Sequence, residues 1–326
     1  MNNKINLIFL SSSEFGLPVL KKLSKDGRFL ISSVITIPDK PKGRHFKIEA
    51  SPIKKGALNL GIKIFEVDSF KDQKWKEEII KQKPDIMIMA SFGKIIPENI
   101  LKIPPFGILN IHPSLLPKFR GPSPIQSAIL EGETETGVTI ILTDEKMDHG
   151  PILKIFNFPV FIKITADGQF SIFNLGYKKL HNKLAELGAE IIGDAAVDWI
   201  DGKIKPVLQD ESKATYTKKI KKEDGLIDWN EPAEIIARTI RAFEIWPTCY
   251  FFIKKNDKIF RIQILEAETV DNSDLTNKKI GQFFKLSGDL AIQTGQGILK
   301  IIKLKPEGKK IITGKEFIRG YKNLLK

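Results

Sequence analysis

Short apolar runs alternate with stretches of helical spacing through the first half of the chain. Residues 6–10 (Asn-Leu-Ile-Phe-Leu) are the pattern of a strand buried on both faces. Ser11, Ser12, Ser13 and Glu14 then supply a turn with capping hydroxyls, and Phe15, Val19, Leu20 and Leu23 recur at helical spacing over 15–25. The alternation continues with strands predicted over 30–36, 62–67, 86–90, 108–112 and 137–142, and helices over 51–60 and 74–83. Such alternation argues a parallel sheet with helices on both faces. Residues 152–162 read as extended. Residues 171–200 read as one long helix, with Leu180, Leu184, Leu187 and Ile191 on one side.

The pattern changes after residue 200. Residues 206–213 are polar and aperiodic, the composition of a linker. Beyond a helix over 233–243 come five short alternating strands, at 248–253, 258–266, 280–286, 290–294 and 298–304, separated by turns such as Ser287-Gly288-Asp289. Short strands with turn signals between them suggest a small barrel of the oligonucleotide-binding kind. The fold class expected is therefore α/β: a Rossmann-like, mostly parallel N-terminal sheet domain over 1–200, a linker over 201–213, and a smaller C-terminal OB-like β-barrel over 214–326. The serines after the first strand stand where a dinucleotide pyrophosphate would need glycines, which argues against a nicotinamide or flavin enzyme.

Length and composition narrow this picture. Two domains suit 326 residues, and 42% hydrophobic with 28% charged residues describes an ordinary globular chain. No apolar run approaches the ~20 residues of a membrane span. The first residues lack the pattern of a signal peptide, and the lone Cys249 forms no internal disulfide or metal cluster, so the cytoplasm is the compartment expected. The net charge is +13, of which residues 206–326 hold +7, with 23 Lys and Arg against 16 Asp and Glu. That density fits a surface facing a polyanion, and equally a lysine-rich proteome.

Candidate chemistry concentrates between Gly107 and Gly150. Period-2 reading of 108–112 puts Asn110 and His112 on one side, opposite Leu109 and Ile111. An isolated pair of this kind can simply cap a strand. Asp144 and Asp148, after the next strand, supply carboxylates that can meet it in space. Asn, His and Asp suit acyl transfer, because His or Asp can take a proton from an amine while Asn and His hydrogen-bond an oxygen that becomes anionic. A second stretch, 37–52, holds three prolines, the cations Lys40, Lys42, Arg44 and Lys47, and Phe46, with no secondary-structure period. Lys, Arg and an aromatic ring can hold phosphates and stack on an unpaired base, and the same composition also suits plain surface loop.

With these residues assembled, the chain resembles the folate-dependent formyltransferases, and within them the methionyl-tRNA formyltransferase family. The resemblance is carried by Asn110-Ile111-His112, by Ser114-Leu115-Leu116-Pro117, Arg120-Gly121 and Pro124-Ile125, by Glu135-Thr136-Gly137-Val138-Thr139, and by Asp148-His149-Gly150. Further on, Asp228-Trp229, Arg241-Ala242-Phe243, Trp246-Pro247 and Pro306-Glu307-Gly308-Lys309-Lys310 match as well. Ser11-Ser12-Ser13, Lys146 and His149 depart from the family's usual Gly-Thr-Pro, Gly and Thr.

The resemblance implies formyl transfer from 10-formyltetrahydrofolate to the α-amino group of methionyl initiator tRNA, without a metal, by a monomer that touches no membrane. It makes Asn110, His112 and Asp148 the catalytic residues and places the folate against Ser114, Leu115, Leu116 and Pro117. It assigns tRNA contacts to Lys40, Lys42, Arg44, Lys47, Lys309 and Lys310. The alternatives are a formyltransferase acting on a sugar nucleotide or another small amine, and a tRNA-binding homologue without catalysis.

Overall fold

A seven-stranded sheet carries the first half of the chain. The computed structural model describes residues 4–39, 41–42, 47–158, 175–255, 258–270 and 278–321. In chain order the elements are β1 (Ile5–Leu10), α1 (Gly16–Lys25), β2 (Phe29–Thr36), β3 (Pro41–Lys42), β4 (Lys47–Ile48), α2 (Pro52–Asn59), β5 (Ile64–Glu66), α3 (Gln73–Gln82) and β6 (Ile86–Ala90). They continue as α4 (Glu98–Leu101), β7 (Ile108–His112), α5 (Pro124–Glu131), β8 (Thr136–Leu142), β9 (Ile152–Phe158) and α6 (Tyr177–Ile200).

The strand order is β5-β2-β1-β6-β7-β8-β9, so the order reverses between β1 and β6. The five strands from β5 to β7 run parallel, whereas β8 and β9 are antiparallel additions. Period-2 patterning gives the faces of β8 but not its direction, which is why the expected parallel run ended one strand early. In open sheets of this kind ligands bind beyond the carboxyl ends of the strands at the reversal point. Here Ser12, after β1, donates both its N–H (3.0 Å) and its hydroxyl (2.9 Å) to the Ser91 carbonyl after β6, tying the two loops together.

Alternation within each strand sorts the core onto two faces. Ile8, Leu10, Ile35, Met87, Met89 and Ile108 form one buried cluster with Ile79 of α3 and Ile100 of α4. The other face of β7 meets α6, where the helix comes so close that a Cβ on Gly188 would lie 2.8 Å from the Ile111 side chain. Asn110 and His112, in step with Ile108, therefore belong to the face away from α6.

The stretch expected to be aperiodic contains the β3–β4 ladder, in which Pro41 pairs with Ile48 and Lys42 with Lys47. Its base is anchored: Asp39 accepts from the Ser51 N–H (3.0 Å) and from Lys54 (2.7 Å), and Ser51 in turn caps α2 ahead of Pro52.

Two compact units divide the described residues. The first lies within Met1–Pro124, Glu135–Pro159 and His181–Lys218, the second within Ile125–Thr134, Val160–Leu180 and Lys219–Lys326. Residues 201–213, read from composition as a linker, fall inside the first unit.

The second unit contains α7 (Ala233–Ala242), β10 (Cys249–Lys255), β11 (Lys258–Val270), β12 (Phe283–Leu286), β13 (Asp289–Gln293), β14 (Ile298–Pro306), β15 (Ile312–Thr313) and α8 (Gly314–Gly320). Its strands pair antiparallel in the order β10-β11-β14-β13-β12, with β15 added to β14. Phe251 of β10 and Phe283 of β12 sit on the outermost strands, yet their rings are 5.4 Å apart, so the sheet curls until its ends meet. Phe317 of α8 packs on Phe283 at 6.4 Å. Helix α8 and β15 lay unread in the sequence, although Thr313 and Glu316 form a reciprocal capping box. No described helix is long and apolar enough to cross a membrane.

Candidate active site

Strand β7 delivers Asn110 and His112 to the face away from α6, and both are buried. Past β8 the chain turns and bonds back to the start of β7, with the Thr143 N–H on the Ile108 carbonyl at 2.8 Å. That return brings Asp148 over the pair. Asn110 Nδ2 donates to Asp148 Oδ1 at 3.1 Å, and His112 Nδ1 lies 3.5 Å from the same oxygen. The second carboxylate oxygen, Oδ2, accepts the Gly121 N–H at 2.8 Å. Asp148 itself is at φ +50°, a left-handed conformation in which Asp is among the few non-glycine residues commonly found.

Proton positions follow from the partners. His112 Nε2 is 2.9 Å from the Phe119 carbonyl, which can only accept, so Nε2 carries a hydrogen. Nδ1 then faces Asp148 across a gap that is favourable when the imidazole and carboxyl share one further proton between them. Both ring nitrogens are thus engaged with protein groups. Asn110 Nδ2 is different: one of its two hydrogens is used by Asp148, and the other has no partner among the described residues. Sequence reasoning had given the oxygen to both residues.

Asp144, the nearer carboxylate after β8, goes elsewhere: it bonds His149 Nδ1 at 2.5 Å. His149 therefore turns towards Asp144, and its Nε2 stands 3.6 Å from Glu211.

The other expected residues divide clearly. Ser114 is buried and spends its hydroxyl on the Lys118 carbonyl (2.7 Å), while its own carbonyl accepts from Thr139 Oγ1 (2.7 Å). Leu116 is buried in the core and its N–H bonds Thr139 Oγ1 at 3.1 Å. These two brace the loop, leaving the half-buried Leu115 and Pro117 as the pair with surface to offer. Lys40 and Arg44 lie outside the described residues. Lys42 and Lys47 face each other across the β3–β4 ladder, and their side chains lie outside the described part.

In the second unit, Lys300, Lys303 and Lys315 are held in ion pairs with Asp289 and Glu266. Lys309 and Lys310 are exposed and have no ion pair among the described residues. Cys249 is buried, and desolvation pushes its thiol up to about 12, which makes it inert. Among the described residues no three His, Cys, Asp or Glu side chains are grouped to hold a metal ion.

The sequence did not reveal the brace behind this site. Arg120 has no exposed surface, and its guanidinium is forked onto Glu211 at 2.7 and 3.0 Å, with the Tyr216 hydroxyl at 3.0 Å. Glu211 holds the Arg120 pKa above its ordinary value against the cost of burial, and Arg120 reciprocally holds the Glu211 carboxyl below the usual range. A cation in an apolar, Pro-bounded loop needs a partner. That need was the available signal, and the partner was in the polar stretch read as linker.

The chain matches the family model described as formyl transferase over residues 3–170, and that described as formyl transferase, C-terminal domain, over 219–322. The chain belongs to the formyl transferase family. Among formyl transferase relatives, the methionyl-tRNA formyltransferase of Dictyoglomus turgidum is 39% identical over 320 residues, covering 98% of this chain and 97% of that one. The methionyl-tRNA formyltransferase of Thermodesulfovibrio yellowstonii is 37% identical, covering 97% and 96%.

Solved structures share the fold at lower identity. The N-formyltransferase from Helicobacter canadensis, in complex with folinic acid and dTDP-3-aminofucose, superposes with a TM-score of 0.64 at 20% identity, covering 91% of this chain and 98% of that one. HypX from Aquifex aeolicus, in complex with tetrahydrofolic acid, gives 0.61 at 18% identity over 97% of this chain, which spans about half (47%) of HypX.

The Arg120–Glu211 pair sets a pH dependence. Because the folded-state pKa of Glu211 lies below its ordinary 4.5, the pair stabilises the fold above that value, and the contribution disappears as pH falls through the folded pKa. Glu211→Gln should therefore lower the melting midpoint at pH 7, with the gap to the native protein closing as the medium is acidified below 4.5. Melting curves at neutral and acid pH check this; an equal gap at both would show that the charge on Glu211 is irrelevant.

Proposed function

We propose that this chain transfers the formyl group of 10-formyltetrahydrofolate to the α-amino group of methionyl initiator tRNA. The observation that carries the reading is end-to-end likeness to methionyl-tRNA formyltransferases, covering 98% of this chain and 97% of the Dictyoglomus turgidum protein at 39% identity, so that both units are included. Sugar formyltransferases are neighbours in fold alone, at about 20% identity. We place the reaction in the cytoplasm, carried out by a monomer.

The donor set fits a formyl-folate. The second Asn110 N–H is a donor for the formyl oxygen, and Leu115, Pro117 and the exposed Met147 provide apolar surface on the segments that carry the polar trio. Folate supplies an electrophilic formyl carbon and a departing amine, N10. This chain's residues do the rest. The Asp148–His112 pair takes the extra proton of the α-ammonium group, which the two then share, so that the neutral amine attacks. As the new N–C bond forms, Asn110 hydrogen-bonds the oxygen that gains charge, without first having to reorient. When the bond from carbon to N10 breaks, the Asp148–His112 pair gives that proton to N10 and takes up the one the new amide nitrogen must lose, which then passes to solvent. The Phe119 carbonyl keeps the imidazole from turning, and the Gly121 N–H keeps the carboxylate facing it. Lys309 and Lys310, exposed and without ion pairs among the described residues, are available to backbone phosphates, and we assign Lys40, Lys42, Arg44 and Lys47 to the acceptor end of the tRNA.

Incubation with 10-formyltetrahydrofolate and methionyl initiator tRNA should yield formylmethionyl-tRNA. Tight tRNA binding without transfer would instead indicate a non-catalytic tRNA-binding protein, and no tRNA binding would indicate a small-amine substrate. Asp148→Asn, which tolerates the same backbone conformation, should lower kcat by about 10²–10⁴-fold with tRNA affinity unchanged. Near-native turnover would remove the carboxylate from the mechanism. Replacing Lys309 and Lys310 together with Ala should weaken tRNA binding and flatten its salt dependence by about one unit of slope per lost phosphate contact. An unaltered slope in filter binding across a salt series would mean that these lysines face solvent only.

A further inference from the structure

Asp148 meets three partners only because its backbone is held in the left-handed region, and the group that holds it comes from residue 209. Gln209 Nε2 donates one hydrogen to the Asp148 carbonyl at 2.9 Å and the other to the Gly150 carbonyl at 2.8 Å. Those two bonds reach from the 148–149 peptide to the 150–151 peptide and clamp the turn between them. Without them, the left-handed conformation at Asp148 has only its side-chain contacts to hold it.

Arg120 decides which way Gln209 faces. Its Nε and Nη2 both donate to Gln209 Oε1, at 3.0 and 2.8 Å. Guanidinium has donors only, so the amide oxygen must lie towards Arg120 and the amide nitrogen towards the two carbonyls. The remaining Arg120 hydrogens go to Glu211 and the Tyr216 hydroxyl, so all five are used.

The backbones are stitched together as well. Val207 and Ile152 exchange two hydrogen bonds, 2.7 and 2.8 Å, two residues before Gln209. Arg120 N–H bonds the Thr215 carbonyl at 2.9 Å, and Thr217 N–H bonds the Arg120 carbonyl at 2.7 Å. Residues 119 and 121, on either side of Arg120, are the ones whose backbone groups hold His112 and Asp148.

We propose that Gln209, oriented by Arg120, is a positioning residue that sets the Asp148 carboxylate against Asn110 and His112, an inference that rests on the formyl-transfer reading. Segment 207–217 thereby belongs to the catalytic apparatus, although none of its side chains touches the reacting groups.

The test is Gln209→Glu in the full chain. The variant keeps the size and can still accept from Arg120, but presents acceptors to the two carbonyls. Its kcat should fall by about a hundredfold, the cost of a roughly 1 Å displacement, while KM for both substrates stays native. A native kcat overturns the proposal, and so does a lowered melting midpoint with native kcat per folded molecule.

A second readout needs no substrate. The chain has four histidines, so the His112 imidazole signals can be assigned by NMR. Asp148→Asn should displace those signals in the native background and leave them where they are in Gln209→Glu, because there the carboxylate has already moved. Equal displacement in both backgrounds overturns the proposal. Should Gln209→Glu fail to fold, Gln209→Met, neutral and of similar length, takes its place in both measurements. If the native protein transfers no formyl group, the function reading fails, while the imidazole comparison still decides the role of Gln209.

Discussion

One carboxylate organises the first unit's chemistry. Asp148 accepts from an amide at 3.1 Å and a backbone N–H at 2.8 Å, and faces an imidazole nitrogen at 3.5 Å. A carboxylate with this many partners and little exposed surface is costly to assemble unless every neighbour is already in place. The architecture can be read as the set of devices that put them there. Strand β7 supplies two side chains two residues apart, the 119–121 loop supplies a carbonyl and an N–H, and the turn after β8 brings the carboxylate back over both.

The parallel sheet explains why the site is where it is. Buried hydrophobic residues on both faces fix β7 in register with β6, and the close approach of α6 at Gly188 leaves no slack behind Ile111. Asn110 and His112 therefore face one way by the geometry of the strand. The turn carrying Asp148 is tied to the sheet at its ends, the Thr143 N–H on the Ile108 carbonyl and the Leu142 N–H on the Pro151 carbonyl. Between those ends its support comes from Gln209, which Arg120 orients and Glu211 braces in turn.

The sequence made β1, β6 and β7 legible because a continuous apolar run bounded by turn residues leaves few alternatives, and the shared face of Asn110 and His112 followed from a period of two. The reversal of β8 was invisible because alternation is the same in either direction. The β3–β4 ladder was too short to show a period. Residues 206–213 read as linker for a stronger reason: their order comes from side chains meeting a buried arginine some 90 positions away, and local composition holds no trace of that. The same holds for Ser114 and Leu116, whose place in a motif said nothing of their burial. Asp144 was as plausible a partner for β7 as Asp148 until His149 claimed it.

The central claim is that an amide, an imidazole and a carboxylate converge on one carbonyl. A crystal structure with a stable formyl-folate analogue bound tests it most directly. The account predicts the formyl oxygen at about 3 Å from Asn110 Nδ2, with the Asp148 carboxylate still facing His112 Nδ1. A formyl group bound out of reach of Asn110, or an Asp148 carboxylate turned away from the imidazole, would contradict it.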